Sequence, residues 1–197
     1  MTDRLNRREL LLSAGLAAGT LGLTIPQSFG QTLPPTPACR DEDDPTAEQT
    51  EGPFYKPRSP QRADLREPGT AGRPVTLSGQ VLTRFCKPVA GAVVDLWHAD
   101  EKGDYDNTGS RYRGHVLTGE QGRYQFRTIV PAIYPGRTRH YHVKVLKDGR
   151  PLLTTQLYFP NEPANPRDGL FNRQLLMKVA DSSDGLAAAF TFVLLQR

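Results

Sequence analysis

A chain of 197 residues, 37% hydrophobic and 23% charged, is long enough to bury one real core and too ordinary in composition to be disordered throughout. Its 25 basic residues outnumber its 21 acidic ones by only four, with no Lys- or Arg-rich run and no aromatic-basic module. That argues against nucleic acid as a partner and supports no more than a mild preference for anionic small molecules.

Residues 1–31 carry a charged start with Arg7-Arg8, an apolar run from Leu10 to Ile25 and then small and turn-forming residues. The run falls short of the ~20 residues a spanning helix needs and is rich in Gly and Ala, so it reads as a removed export signal, cleaved after Gly30, in preference to a membrane anchor. Asn6-Arg-Arg-Glu-Leu-Leu-Leu12 resembles the twin-arginine type, with leucine where that pattern usually has phenylalanine. The expected destination is the periplasm or the exterior. Cys39 and Cys86 fit an oxidising compartment, since an even count leaves no stray thiol. A bridge between them would tie the N-terminal arm to the start of the core and contribute about 3 kcal/mol by restricting the unfolded chain. Two free thiols remain the alternative; Thr36 and Pro37 make a poor context for a lipid anchor at Cys39.

Residues 32–74 are dominated by proline, glycine and acids, with little periodicity, and read as an extended arm lying over the domain. From residue 75 to 197 the pattern turns to β. Val75 to Leu82 alternates; Gly91 to Trp97, Gly122 to Arg127, His140 to Leu146, Leu153 to Phe159 and Ala187 to Leu195 follow, broken by turn residues at short intervals. The expected fold is all-β, a mostly antiparallel β-sandwich with long loops, and one or two helical turns between Leu170 and Lys178.

Within it, His140 and His142 stand one residue apart. In a strand such residues project from one face, so both could reach one ion while Tyr141 points the other way. Pro135-Gly136 reads as a turn that folds Tyr134 back towards the imidazoles. Zinc is the default for two histidines, but no His, Cys or carboxylate stands at an obvious spacing for a further ligand. A phenolate is a hard anionic donor, better suited to a trivalent ion.

Read together, Glu48-Gln-Thr-Glu-Gly-Pro-Phe-Tyr55, Val94-Asp-Leu-Trp-His-Ala-Asp100, Gly103-Asp-Tyr-Asp-Asn107, Tyr134 to His142 and Thr155-Gln-Leu-Tyr-Phe159 resemble, in order and wording, the intradiol ring-cleavage dioxygenases, the family of protocatechuate 3,4-dioxygenase and catechol 1,2-dioxygenase. The resemblance implies an enzyme holding one non-haem Fe(III) on Tyr105, Tyr134, His140 and His142. Its substrates would be O₂ and a catechol-type aromatic, opened between the two hydroxylated carbons to a cis,cis-muconate-type acid. It also implies that Tyr134 leaves the metal as substrate binds, that Arg137 lies beside the ring with Gln156 orienting it, and that Thr50, Gly52 and Pro53 face the substrate. His98 is expected to be a surface group or one supporting the ligands, Trp97 a core residue, and Tyr141 and Tyr158 strand-packing residues with polar tips.

The spacing from Tyr134 to the histidines is shorter than in the intracellular members, which implies a more open pocket and bulkier or plant-derived catechols. The helical dimerisation region of catechol dioxygenases is absent, so a homodimer or a partner subunit stays open. The rival reading is a non-catalytic transthyretin-like binding module, which the segments around Pro88 to Leu96 and Thr118 to Tyr124 would also suit.

Overall fold

A computed structural model describes Cys39 and residues 44–195; the expected export signal lies outside the described residues. Eight strands form two four-stranded sheets: β1 (Pro74–Thr83), β2 (Val93–Trp97), β3 (Arg113–Leu117), β4 (Arg123–Ile129), β5 (His140–Lys147), β6 (Arg150–Tyr158), β7 (Lys178–Ser182) and β8 (Gly185–Leu194). One sheet has the order β4-β1-β8-β7, the other β3-β2-β5-β6. All pairs are antiparallel except β1 with β8. The all-β sandwich expected from the sequence is the fold observed.

The core is built by alternation. In β4, Tyr124, Phe126 and Thr128 point inward and Arg123, Gln125 and Arg127 outward, as a period of two requires. Leu77, Val81, Phe190 and Phe192 meet Val94, Leu96, Val143, Val145 and Leu157 from the facing sheet in one buried cluster. Gly79 is demanded by its neighbour: a Cβ there would stand 1.7 Å from the Phe190 carbonyl, the group to which Tyr124 Oη donates at 2.8 Å.

Two strands escaped sequence patterning. β3 is hidden because it is five residues long with Gly114 inside it, and β7 is a short, half-exposed edge strand. The stretch 170–178 holds one turn of 3-10 helix, Arg173–Leu175, opened by Asn172, whose side chain accepts from the Gln174 N–H. A second turn, Asn165–Arg167, lies before it.

The arm expected over the domain covers the outer face of β3-β2-β5-β6. The Thr46 N–H bonds to the Val193 carbonyl and the Gln49 N–H to that of Thr154; Glu51 pairs with Lys144 at 2.6 Å and Ser59 Oγ donates to Asp95 at 2.7 Å. This cover explains why β2 and the first half of β5 are buried on both faces. Cys39 and Cys86 are bonded, their Cα atoms 5.7 Å apart. Among the described residues no helix is long and apolar enough to cross a membrane.

The bridge spans 47 positions of sequence, a loop whose closure is worth about 4 kcal/mol in the chain-entropy account. Replacing both cysteines by serine is therefore expected to lower the melting temperature by about 10 °C in circular dichroism. An unchanged melting temperature would show that the bridge does not constrain the unfolded chain.

Candidate functional site

The register of β5 assembles one side of the site. His140, His142 and Lys144 share the outer face, while Tyr141, Val143 and Val145 enter the core. Opposite them on the same face stand Tyr158 (against His140) and Gln156 (against His142) on β6, and Trp97 (against His142) on β2. The Trp97 ring lies flat on His142, centroids 5.0 Å apart at 8°, and gives that imidazole a rigid backing.

Tyr105 arrives from the loop after β2. Asp100 organises this loop by accepting from the Lys102 and Asp104 N–H groups. Gly103, at φ 95, lets it pass the following loop, since a Cβ would stand 2.5 Å from the Ile133 carbonyl. Beyond the tyrosine, the N–H groups of Arg111 and Gly109 hold the Asp106 carboxyl well below the usual carboxylate range. Buried Arg113 then clamps two segments, donating to the Asp106 carbonyl at 2.9 Å and to that of Phe54 at 2.6 Å. Phe54 is thereby stacked on Tyr105 at 4.3 Å.

Three donor atoms converge. Tyr105 Oη lies 3.3 Å from His140 Nε2 and 3.1 Å from His142 Nε2, and the two imidazole nitrogens are 3.1 Å apart. His140 Nδ1 sits 2.6 Å from the Thr138 carbonyl, which fixes its proton there and leaves the Nε2 lone pair facing the cluster. His142 Nδ1 is buried and has no hydrogen-bond partner among the described residues. Burial pushes His140 down to about 4, and burial with the adjacent His140 pushes His142 well below its ordinary value, so both rings are neutral at pH 7.

Burial pushes the Tyr105 phenol up, with the Arg137 and Arg113 guanidinium groups opposing it. Neutral imidazole lone pairs and a phenol oxygen packed edge to edge suit a metal ion about 2 Å from each. A phenol held above its ordinary pKa gives up its proton only to a strongly Lewis-acidic centre. Among the described residues no group of three or more His, Cys, Asp or Glu side chains could hold an ion, so any ion here must use the phenol.

The fourth expected ligand stands apart from this triangle. Tyr134 is half-buried, lies edge-on to Tyr105 (5.7 Å) and to Phe54 (5.5 Å), and its hydroxyl makes no hydrogen bond among the described residues. The turn that carries it is closed by the Arg137 N–H on the Tyr134 carbonyl, with Gly136 at φ 78.

Arg137 and Gln156 are brought together as expected from the resemblance: Arg137 Nη2 donates to Gln156 Oε1 at 2.5 Å, and Gln156 Nε2 donates to the Thr50 carbonyl at 2.9 Å. Gly52, at φ 70, lies on the His142 ring, where a Cβ would come within 3.2 Å of Cε1. Thr50 and Pro53 are exposed beside it. His98 differs from expectation: it is fully buried, with Nδ1 2.7 Å from the Ala99 carbonyl and Nε2 2.5 Å from Thr128 Oγ1.

Several contributors had no local signal. Phe54 and Arg113 act through contacts across the fold. Tyr158 looks like strand packing in the sequence, yet its hydroxyl sits 2.7 Å from Gln49 Oε1, 2.8 Å from the Leu170 carbonyl and 3.0 Å from Gln156 Oε1. Asp168 receives Arg137 Nε at 3.0 Å and the Thr138 and Leu170 N–H groups at 2.8 and 2.9 Å. Burial raises the Asp168 carboxyl, but these donors outweigh it and hold it below the usual range.

Comparison with known proteins follows the same lines. The family model Dioxygenase_C, described as a dioxygenase, matches residues 50–195. The chain is 32% identical over 174 residues to catechol 1,2-dioxygenase 1 of Acinetobacter lwoffii, covering 72% of this chain and 56% of the relative. It is 31% identical over 147 residues to hydroxyquinol 1,2-dioxygenase of Rhizobium sp. (strain MTP-10005), covering 61% and 50%. The chain thus spans about half the length of these relatives. Among solved structures, the dioxygenase domain of a dioxygenase carbohydrate-binding protein fusion from Streptomyces sp. SirexAA-E superposes with a TM-score of 0.74 at 54% identity, covering 77% of this chain and 98% of that one. The 3-chlorocatechol 1,2-dioxygenase of Rhodococcus opacus 1CP does so at 0.68 and 26%, covering 78% and 73%.

The buried imidazoles give the metal-free protein a defined pH response. His98 is pushed down to about 4 by burial, as is His140, and His142 also lies well below its ordinary value; the unfolded chain takes up these protons near ~6.5. Their stabilisation is complete above about pH 6.5 and is lost as pH falls towards 4. Asp95, raised to about 6 by burial, works in the opposite sense, but one carboxyl does not offset three imidazoles. The urea midpoint of the metal-free protein should fall between pH 7 and 5; a flat or rising midpoint would contradict the neutral, buried state of these rings.

Gly52→Ala tests the arm's approach to His142. A methyl group 3.2 Å from Cε1, on a backbone at φ 70, should weaken metal retention about tenfold in chelator competition while the fold survives. Retention equal to the wild type would show that the arm does not hold the ring.

Proposed function

The chain belongs to the intradiol ring-cleavage dioxygenase family, and from that membership we propose that it is an Fe(III)-dependent enzyme that opens catechol-type aromatics with O₂. The observation that carries the reading is the convergence of Tyr105 Oη, His140 Nε2 and His142 Nε2 within 3.1–3.3 Å, with Tyr134 alongside. The named relatives act on catechol and hydroxyquinol, aromatics that share two adjacent hydroxyls. Both atoms of O₂ enter the product, the bond between the hydroxylated carbons breaks, and a muconate-type dicarboxylic acid forms with no external reductant.

Tyr105, Tyr134, His140 and His142 would hold the iron. When bound, Fe(III) supplies the Lewis acidity that keeps phenol oxygens deprotonated and draws electron density from the aromatic ring. The two imidazoles arrive neutral, so their lone pairs need shed no proton at pH 7. Tyr105 is fixed by the Phe54 stack and the Arg113 clamp and stays in place. Tyr134, half-buried on a turn and with its hydroxyl tied by no hydrogen bond among the described residues, is the ligand able to swing away and accept a substrate proton on Oη.

Arg137, held by Gln156 and Asp168, presents a fixed cation where charge develops on the ring. Thr50, Gly52 and Pro53 would border the entering aromatic, and Phe54 excludes water from the Tyr105 face. The short Tyr134-to-His140 loop leaves room for substituted, bulky catechols. Catalysis outside the cytoplasm is part of the same proposal, supported by the Cys39–Cys86 bridge and the Arg7-Arg8 leader pattern.

The test is the visible spectrum and metal content of the purified protein, before and after anaerobic catechol. A red-brown tyrosinate-to-Fe(III) band that moves to longer wavelength with catechol is the expected result. A protein that stays colourless after reconstitution with Fe(III) would overturn it and leave a non-catalytic sandwich module.

A further inference from the structure

Asp168 lies in the loop between β6 and β7, and its side chain is almost wholly buried (2% exposed). It serves two parts of the site at once. On one side it takes Arg137 Nε at 3.0 Å with each of its oxygens. Arg137 Nη2 is spent on Gln156 Oε1 (2.5 Å) and Tyr158 Oη (3.4 Å). Nη1 makes no hydrogen bond among the described residues, so one edge of the guanidinium remains for a ligand.

On the other side Asp168 Oδ2 accepts the Thr138 N–H at 2.8 Å. Thr138 is fully buried, and its Oγ1 donates to Asn165 Oδ1 at 2.7 Å, so one short loop grips it at two points. The Thr138 carbonyl is the acceptor, at 2.6 Å, that holds the proton of His140 on Nδ1. An unbroken chain of contacts therefore runs from Arg137 through one carboxylate and one threonine to an imidazole of the donor cluster.

We propose that Asp168 is a positioning residue that registers the Arg137 guanidinium against the His140 imidazole, so that the cation beside the substrate and the ring that holds the metal share one mount. This rests on the ring-cleavage reading for its catalytic consequence, but not for its geometry. A buried arginine needs anionic or carbonyl partners to remain charged away from water, and a carboxylate that also binds backbone N–H groups is pinned far more tightly than a surface partner. Asparagine cannot replace it: the Arg137, Thr138 and Leu170 donors call on both carboxylate oxygens, and an amide turns one of them into a donor facing donors.

The test is a double-mutant cycle of Asp168→Asn and Arg137→Gln in the iron-loaded protein, with imidazole nitrogen NMR of each metal-free variant. Each single change should lower kcat about 10- to 100-fold, the range expected for a misplaced group. The double variant should lose clearly less than the product of the two single losses, since part of what Asp168 does passes through Arg137 and the rest through Thr138. Asp168→Asn should also shift the His140 Nδ1–H signal or speed its exchange, whereas Arg137→Gln leaves it in place.

Losses that multiply in full, or an unmoved His140 signal in Asp168→Asn, would overturn the proposal. If Asp168→Asn does not fold, Asp168→Glu, which keeps the charge but displaces it, is read in the same cycle with the same expectations. A wild type that cleaves no catechol would sink the ring-cleavage reading alone, and the His140 signal would still judge the mount.

Discussion

The site depends on the two-residue period of a single strand. Because β5 alternates strictly, His140 and His142 are committed to the outer face by the same register that commits Tyr141, Val143 and Val145 to the core. A slip of one residue would bury the wrong set on both sides. The outer face of a sheet is ordinarily wet, and imidazoles there would titrate near neutrality. The arm changes that environment: Gly52 on the His142 ring, Phe54 on Tyr105 and Glu51 on Lys144 close the face and leave both imidazoles neutral, with lone pairs exposed to each other. Packing and acid–base chemistry are here one constraint.

Two arginines beside the site, one half-buried and one buried, are held by different means. Arg137 has a carboxylate, Asp168, together with a glutamine and a tyrosine hydroxyl. Arg113 is buried on backbone carbonyls and makes no ion pair among the described residues. The first arrangement fixes a direction for the guanidinium; the second ties two remote segments together around Tyr105. Both surround the donor cluster with positive charge, which favours the phenolate over the phenol and opposes protonation of the imidazoles.

How much of this the sequence disclosed follows from where the information sits. Strands with clean alternation, such as Val75 to Leu82 and Gly122 to Arg127, declare themselves. β3 does not, because Gly114 breaks its pattern; it is there since a Cβ would stand 2.6 Å from Leu65 Cδ2, a contact made by the arm. The His-x-His pair is a local signal and could be read directly. The Pro135-Gly136 turn pointed Tyr134 towards the imidazoles, whereas Tyr105 needed a family resemblance, because its arrival is a property of a loop. Phe54 and Tyr158 stand inside segments that carry the resemblance, but nothing local marks what they touch, and Asp168 lies outside those segments: Phe54 meets Arg113 across 59 positions and Asp168 meets Arg137 across 31. Tyr158 reads in the sequence as strand packing with a polar tip, and that tip is the centre of a polar network whose members the sequence does not name.

The arm also orders events in time. Thr46 exchanges hydrogen bonds with Val193, groups 147 positions apart, so the start of the arm cannot be tied down until β8 is in place. The next stretch of the arm waits on less: Ala47, Gln49 and Thr50 bond to β6 and Glu51 pairs with β5, so the cover over the histidines can form as soon as those two strands have paired. Uncovering the histidines again means parting residues 47–52 from β5 and β6, a separation that leaves the pairing of β8 untouched.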